Sequence, residues 1–294
     1  MIYRNKICPY ACQPISSIEV SCEHIVPDAL GGPATFALAA DKTHNSVYGA
    51  SVDIRLIRSP LMGMIAARAG VETRSGPSTW KTQGHLVADG SPVELVGSKD
   101  AVAFRFLKPV EVDPVTRRVQ AIKGFGADVD KELARVTKDL KRKGWDLTPT
   151  GHEVLDSNVR GSFEHNLSEA TQGLTKIAYL ATVWAVGDRF INTEAGAQYR
   201  RWLSVEPTVN ALEAAELRPL GGSLFKAQGT PTQHHIACVV SGQTVLTGVR
   251  LFNEPLFEIA IAVEVPELQL PEDHGHLVII DAVAKTFEEQ LLIP

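Results

Sequence analysis

Residues 22–32 read Cys22-Glu23-His24-Ile25-Val26-Pro27-Asp28-Ala29-Leu30-Gly31-Gly32, and residues 41–49 read Asp41-Lys42-Thr43-His44-Asn45-Ser46-Val47-Tyr48-Gly49. Glu23 and His24 are neighbours, so on an extended segment their side chains leave opposite faces. Gly31-Gly32 lets the chain reverse sharply. His44 and Asn45 then arrive ahead of a short predicted helix. A carboxylate, an imidazole and a carboxamide oxygen are the groups that one hard divalent cation with open positions can gather. Such a site suits phosphodiester hydrolysis: the metal stabilises the leaving oxygen while the imidazole deprotonates the attacking water. The plainer account of the same residues is a turn holding a satisfied histidine.

The string Glu-His-Ile-Val-Pro-x-x-Leu-Gly-Gly, with an Asn before x-x-x-Gly, resembles the HNH endonuclease family and its ββα-metal fold. The resemblance covers about residues 8–53. It implies that Glu23 and Asn45 ligate a catalytic Mg²⁺ or Mn²⁺ and that His24 is the general base. Members with this string often carry two Cys-x-x-Cys pairs on a structural zinc. Here the first pair is Cys8-x-x-x-Cys12, one residue longer, and Asp41-x-x-His44 stands in place of the second. Two readings of these four residues stand side by side. They are all acceptable zinc ligands, or the zinc has been lost and the cysteines are small buried residues. Cys22 is expected to pack and not to ligate. The Asn that braces the loop between the family's two strands has no counterpart around Thr35, Phe36 and Ala37.

The whole chain is 294 residues with a net charge of −5, 44% hydrophobic and 21% charged. That balance excludes a disordered chain and a protein that coats nucleic acid by bulk electrostatics. DNA contact therefore has to come from local cations, and Arg55, Arg58, Arg68 and Arg74, just after the motif, are the candidates. The basic face Lys131, Arg135, Lys138, Lys141, Arg142 and Lys143 reads first as a solvated helix face. His234-His235 and Asp273-His274-Gly275-His276 read as surface turn residues, and Trp184 and Trp202 as core. No stretch near the N-terminus has signal-peptide character, and no apolar run reaches the ~20 residues of a membrane span, which predicts a cytoplasmic protein without membrane contact.

The periodicity predicts an α+β fold: a small N-terminal ββα module over residues 1–72, then a larger mixed body with antiparallel strands over 73–294, divided near 144–161. Residues 74–79 read as a linker. Short strands are expected at 93–96 and 101–107, with a hairpin from 110–112 and 117–122. Val129, Leu133, Val136 and Leu140 predict a helix stopped by Gly144. Further helices are expected at 163–186 and 194–203, and a three-stranded meander at 236–240, 244–252 and 256–265.

The function implied by the resemblance is a metal-dependent endonuclease cutting DNA, with the body recognising the target, docking a partner or regulating; a defence or restriction role is an association of the family only. Double-strand cutting with one site per chain would favour a homodimer. The alternative is a non-catalytic nucleic-acid-binding or ligand-sensing protein that keeps an HNH-like scaffold.

Overall fold

The computed structural model describes residues 3–116, 118–126, 128–144, 151, 157–162, 166–208, 224–225, 229–268 and 273–292. It is mixed α+β with antiparallel sheets. The first hairpin pairs β1 (Val20–His24) with β2 (Ala37–Asp41), in a register running from Val20 opposite Asp41 to His24 opposite Ala37. Asp41 ends β2 and caps α1 (Lys42–Tyr48), its side chain accepting the backbone N–H of His44. A turn of π-helix over Gly49–Asp53 leads into α2 (Ile54–Arg58) and α3 (Pro60–Ala69). The stretch expected as a linker folds into a minimal hairpin of β3 (Glu72–Thr73) and β4 (Gly76–Pro77).

Two compact units follow from the contacts, residues 1–78 with 165–294 and residues 79–164. The body expected after residue 73 is therefore shared between units, and the C-terminal third joins the N-terminal module. The expected division near 144–161 lies partly outside the described residues. The smaller unit holds β5 (Trp80–Leu86), β6 (Pro92–Gly97), β7 (Val102–Phe106) and β10 (Val159–Gly161) in the order β10-β5-β6-β7. It also holds the hairpin β8 (Val110–Val112) with β9 (Val119–Ile122), and α4 (Asp128–Arg142). Gly144 ends α4 with a positive φ of 79°. Leu86, Val93 and Phe106 form a small core, on which Phe125 stacks with its ring 4.4 Å from that of Phe106.

The larger unit is organised by α5 (Leu167–Val186). The start expected at Phe163 lies outside the described residues; Asn166 caps the helix by accepting the N–H groups of Ser168 and Glu169. This helix packs on α2 and β2 of the N-terminal segment and on strands of the C-terminal sheet. Gly173 has no side chain because Leu56 of α2 occupies that space: a Cβ there would lie 2.8 Å from Leu56 Cβ. A short 3-10 turn leads to α6 (Glu194–Ser204). The C-terminal sheet has five strands, β11 (Gln233–Ser241), β12 (Thr244–Arg250), β13 (Glu258–Glu264), β14 (His274–Asp281) and β15 (Thr286–Leu292). Their order is β13-β12-β11-β14-β15. The three expected strands are the first three; the last two, whose outer face is polar, carry a weaker apolar signal. Phe36, Leu38, Tyr179, Trp202, Ile236 and Ile280 belong to one core, so hairpin, helix and sheet are stabilised together. Trp184 and Trp202 are core residues, as expected.

Candidate functional site

β1 presents its alternate residues to two different environments. Glu23 points inward and is 2% exposed. Its Oε1 lies 2.8 Å from Nζ of Lys176, a buried residue of α5, and the same ammonium lies 2.6 Å from Oδ2 of Asp53. One cation thus serves two carboxylates inside the protein. The partners respond differently. Two carboxylates hold Lys176 charged against its burial. Burial dominates at Glu23, which shares its one cation with Asp53, and its carboxyl is pushed up to about 7. Glu23 Oε2 and the Tyr10 hydroxyl are buried without a hydrogen-bond partner among the described residues. Cys22, expected to turn inward, is the half-exposed neighbour, because Glu23 takes the inward phase of the strand.

His24 leaves the other face and is half-buried. Burial lowers its pKa, opposed by Asp28 and reinforced by Arg74, Lys285 and Lys176, so the imidazole is neutral at pH 7. No hydrogen bond holds the ring among the described residues. Asp28 opens the turn after β1; Arg74 comes from the β3–β4 hairpin, and Lys285 from the turn between β14 and β15. Lys285 Nζ lies 2.7 Å from Asp28 Oδ1, and Arg74 Nε 3.5 Å from Asp28 Oδ2. The rim around His24 therefore carries two cations and one anion.

The motif's turn is held from the C-terminal sheet. Gly31 adopts φ 87°, and a Cβ there would fall 2.2 Å from the carbonyl oxygen of Ala282. His234 Nε2 lies 2.7 Å from the Leu30 carbonyl oxygen, and its Nδ1 accepts the N–H of Phe252, so the Nε2–H tautomer donates to Leu30. Full burial lowers the His234 pKa to about 4. His234 and His235 are thus buried strand residues of β11, not surface turn residues, because β11 is the central strand of the sheet. His274 and His276 likewise lie in β14, where His276 pairs with Glu289 at 2.8 Å.

The remaining expected ligands are placed as follows. Asn45 Nδ2 donates to Ser21 Oγ and to the Cys22 carbonyl, at 2.9 and 3.0 Å, and braces α1 against β1. A divalent ion shared by Glu23 and Asn45 does not fit this arrangement: Glu23 already faces a buried ammonium, and its carboxylate is closed to a substrate. Cys8 is buried, and its Sγ accepts the N–H groups of Ala11 and Asp41. Asp41 Oδ1 serves the backbone N–H and Nδ1 of His44, while Cys12 Sγ leans toward the Tyr10 carbonyl. Among the described residues no group of three or more His, Cys, Asp and Glu side chains is arranged to hold a metal ion. Arg55 pairs with Glu206 at 2.9 Å, while Arg58 and Arg68 are exposed on α2 and α3. Buried Asn5 donates to the Ala39 carbonyl and accepts the Ala39 N–H, each at 2.8 Å, and so fixes the middle of β2 and not the loop between the two strands.

No family model, curated protein or solved structure matches this chain. No helix among the described residues is long and apolar enough to cross a membrane. Three residues of the site escape the sequence reading: Asp53, Lys176 and Lys285. Lys176 carries a signal, as the one charge inside the otherwise uncharged run from Gln172 to Val186. Asp53 and Lys285 carry none, since only the fold brings them to residues 23–28.

Proposed function

We propose that this chain is an HNH-type phosphodiester hydrolase that cuts DNA, with His24 as its general base. The observation that carries this reading is the state of His24. Its imidazole is neutral, half-exposed and, among the described residues, free of internal hydrogen bonds, at the end of the strand that opens the Glu-His-Ile-Val-Pro string. A neutral imidazole near the working pH is a competent base. Water attacks phosphorus as His24 takes its proton; the new P–O bond forms while the bond to the leaving oxygen breaks, and that oxygen takes a proton from solvent. Arg74 and Lys285 stand beside His24 and suit the negative charge of the phosphodiester. Arg58 and Arg68 add exposed cations for the flanking backbone.

The test is nicking of supercoiled plasmid by the full chain, in Mg²⁺ and separately in EDTA. His24→Ala is expected to slow cleavage by about 10²- to 10⁴-fold while leaving the melting transition in place. Cleavage by His24→Ala at the parental rate would remove His24 from the chemistry. A second reading, a DNA-binding protein that keeps this scaffold without hydrolysis, is favoured by the sequestered Glu23. Salt-sensitive duplex binding without nicking under any condition would select it.

A further inference from the structure

We propose that the ammonium of Lys176 stands where the resemblance would place a divalent ion, so that Glu23 is the internal counter-ion of α5 and not a metal ligand. Three observations combine. The Lys176 side chain is 1% exposed and that of Glu23 2%, so neither can touch a phosphodiester bound at the surface. Lys176 Nζ reaches a carboxylate on each side, 2.8 Å to Glu23 and 2.6 Å to Asp53, distances of full charge-assisted hydrogen bonds. The other expected ligand, Asn45, has both amide hydrogens engaged by β1. A hard divalent ion needs six or more oxygen ligands, several from water; a closed site already holding a positive charge supplies neither the room nor the sign.

The arrangement also explains why an ammonium suffices. A buried carboxylate and a half-buried one close together repel each other, and burial resists the ionisation of the inner one. One cation between them removes that repulsion and ties three separate segments, β1, the π-helical turn and α5, to a single point. Lys176 is therefore a positioning residue: it fixes the end of β1 from which His24 projects to the opposite face.

The experiment uses the full chain and Mn²⁺ as probe, with free Mn²⁺ read by its solution EPR signal, and does not depend on whether the protein cuts DNA. Wild type and Glu23→Gln are expected to bind equal numbers of Mn²⁺. Lys176→Ala, which removes the charge and leaves room for water, is expected to gain one Mn²⁺ that the double variant Lys176→Ala/Glu23→Gln loses. One more Mn²⁺ on wild type than on Glu23→Gln overturns the proposal, as does a folded Lys176→Ala that gains none. Should Lys176→Ala fail to fold, the comparison of wild type with Glu23→Gln decides by itself. A failure here with His24-dependent cleavage intact would leave the hydrolase reading standing; the reverse result would separate the two just as cleanly.

Discussion

Glu23 and His24 are consecutive residues of one strand, and the protein treats them as members of two different worlds. Glu23 enters the core and meets Lys176 and Asp53; His24 leaves toward a rim of Asp28, Arg74 and Lys285. The inner set is closed, with charge balanced by fixed partners at short distance. The outer set is more open: Lys285 and Asp28 are only half-buried, and Arg74 reaches Asp28 from an exposed position at 3.5 Å. A single motif thus divides its labour by strand alternation: the acidic residue anchors, and the basic residue remains available. Residue identity alone assigns both to one site, whereas burial separates them.

The strongest way to break this division is to remove the inner cation. Lys176→Met leaves buried Glu23 and half-buried Asp53 without their shared cation and is expected to cost about 3–5 kcal/mol of unfolding free energy at pH 8, measured by urea denaturation followed by circular dichroism. The loss should shrink on acidification, because protonating Glu23 and Asp53 relieves it.

A second test compares the titrations of Glu23 and His234. His234 is lowered from 6.5 to about 4 in the fold. The unfolded chain therefore binds more protons in that window; the stability is present above pH 6.5 and falls as pH drops toward 4, by about 3 kcal/mol. Glu23 has the opposite sign: its raised pKa gives stability present below the ordinary carboxylate range and lost as pH rises toward 7. The two slopes oppose each other over the interval they share. Glu23→Gln should unmask the His234 slope, so that its unfolding free energy falls more steeply than that of wild type from pH 6.5 to 4.5.

The smallest effect belongs to the rim. Lys285→Ala removes a half-buried pair with Asp28 at the surface and should change unfolding free energy by about 1 kcal/mol. It should nevertheless lower the salt dependence of duplex binding by about one unit of slope, read by fluorescence anisotropy across a salt series. An unchanged slope would remove Lys285 from the DNA-contacting surface.

Much of this architecture is legible in the chain itself. The hairpin follows from the Gly31-Gly32 reversal, α4 from Val129, Leu133, Val136 and Leu140, and the meander from its alternating runs; α1 begins at Lys42, so His44 and Asn45 lie inside it and not ahead of it as expected, because Asp41 caps the helix instead of joining a zinc site. What escapes is long-range. β14 and β15 are hidden because residues such as Glu288, Glu289 and Gln290 face solvent and dilute the apolar pattern. The domain division escapes because no local signal says that residues 165–294 share a core with 1–78. The site is half legible for the same reason. His24 and Glu23 can be named from their string, but the direction each faces depends on α5, some 150 positions later in the chain. Periodicity is a local quantity; a buried ion pair between distant segments is not.

The bare Cα of Gly31, pressed against the carbonyl of Ala282, carries a consequence for biosynthesis. The reversal that shapes the motif is completed by a residue about 250 positions later in the chain. During translation the opening hairpin leaves the ribosome long before its seat exists, with Phe36 and Leu38 still lacking most of the partners that later enclose them. Maturation of the motif must therefore await β14 and the turn after it, and a nascent chain stalled before Ala282 offers that greasy patch to chaperones instead of to its own sheet.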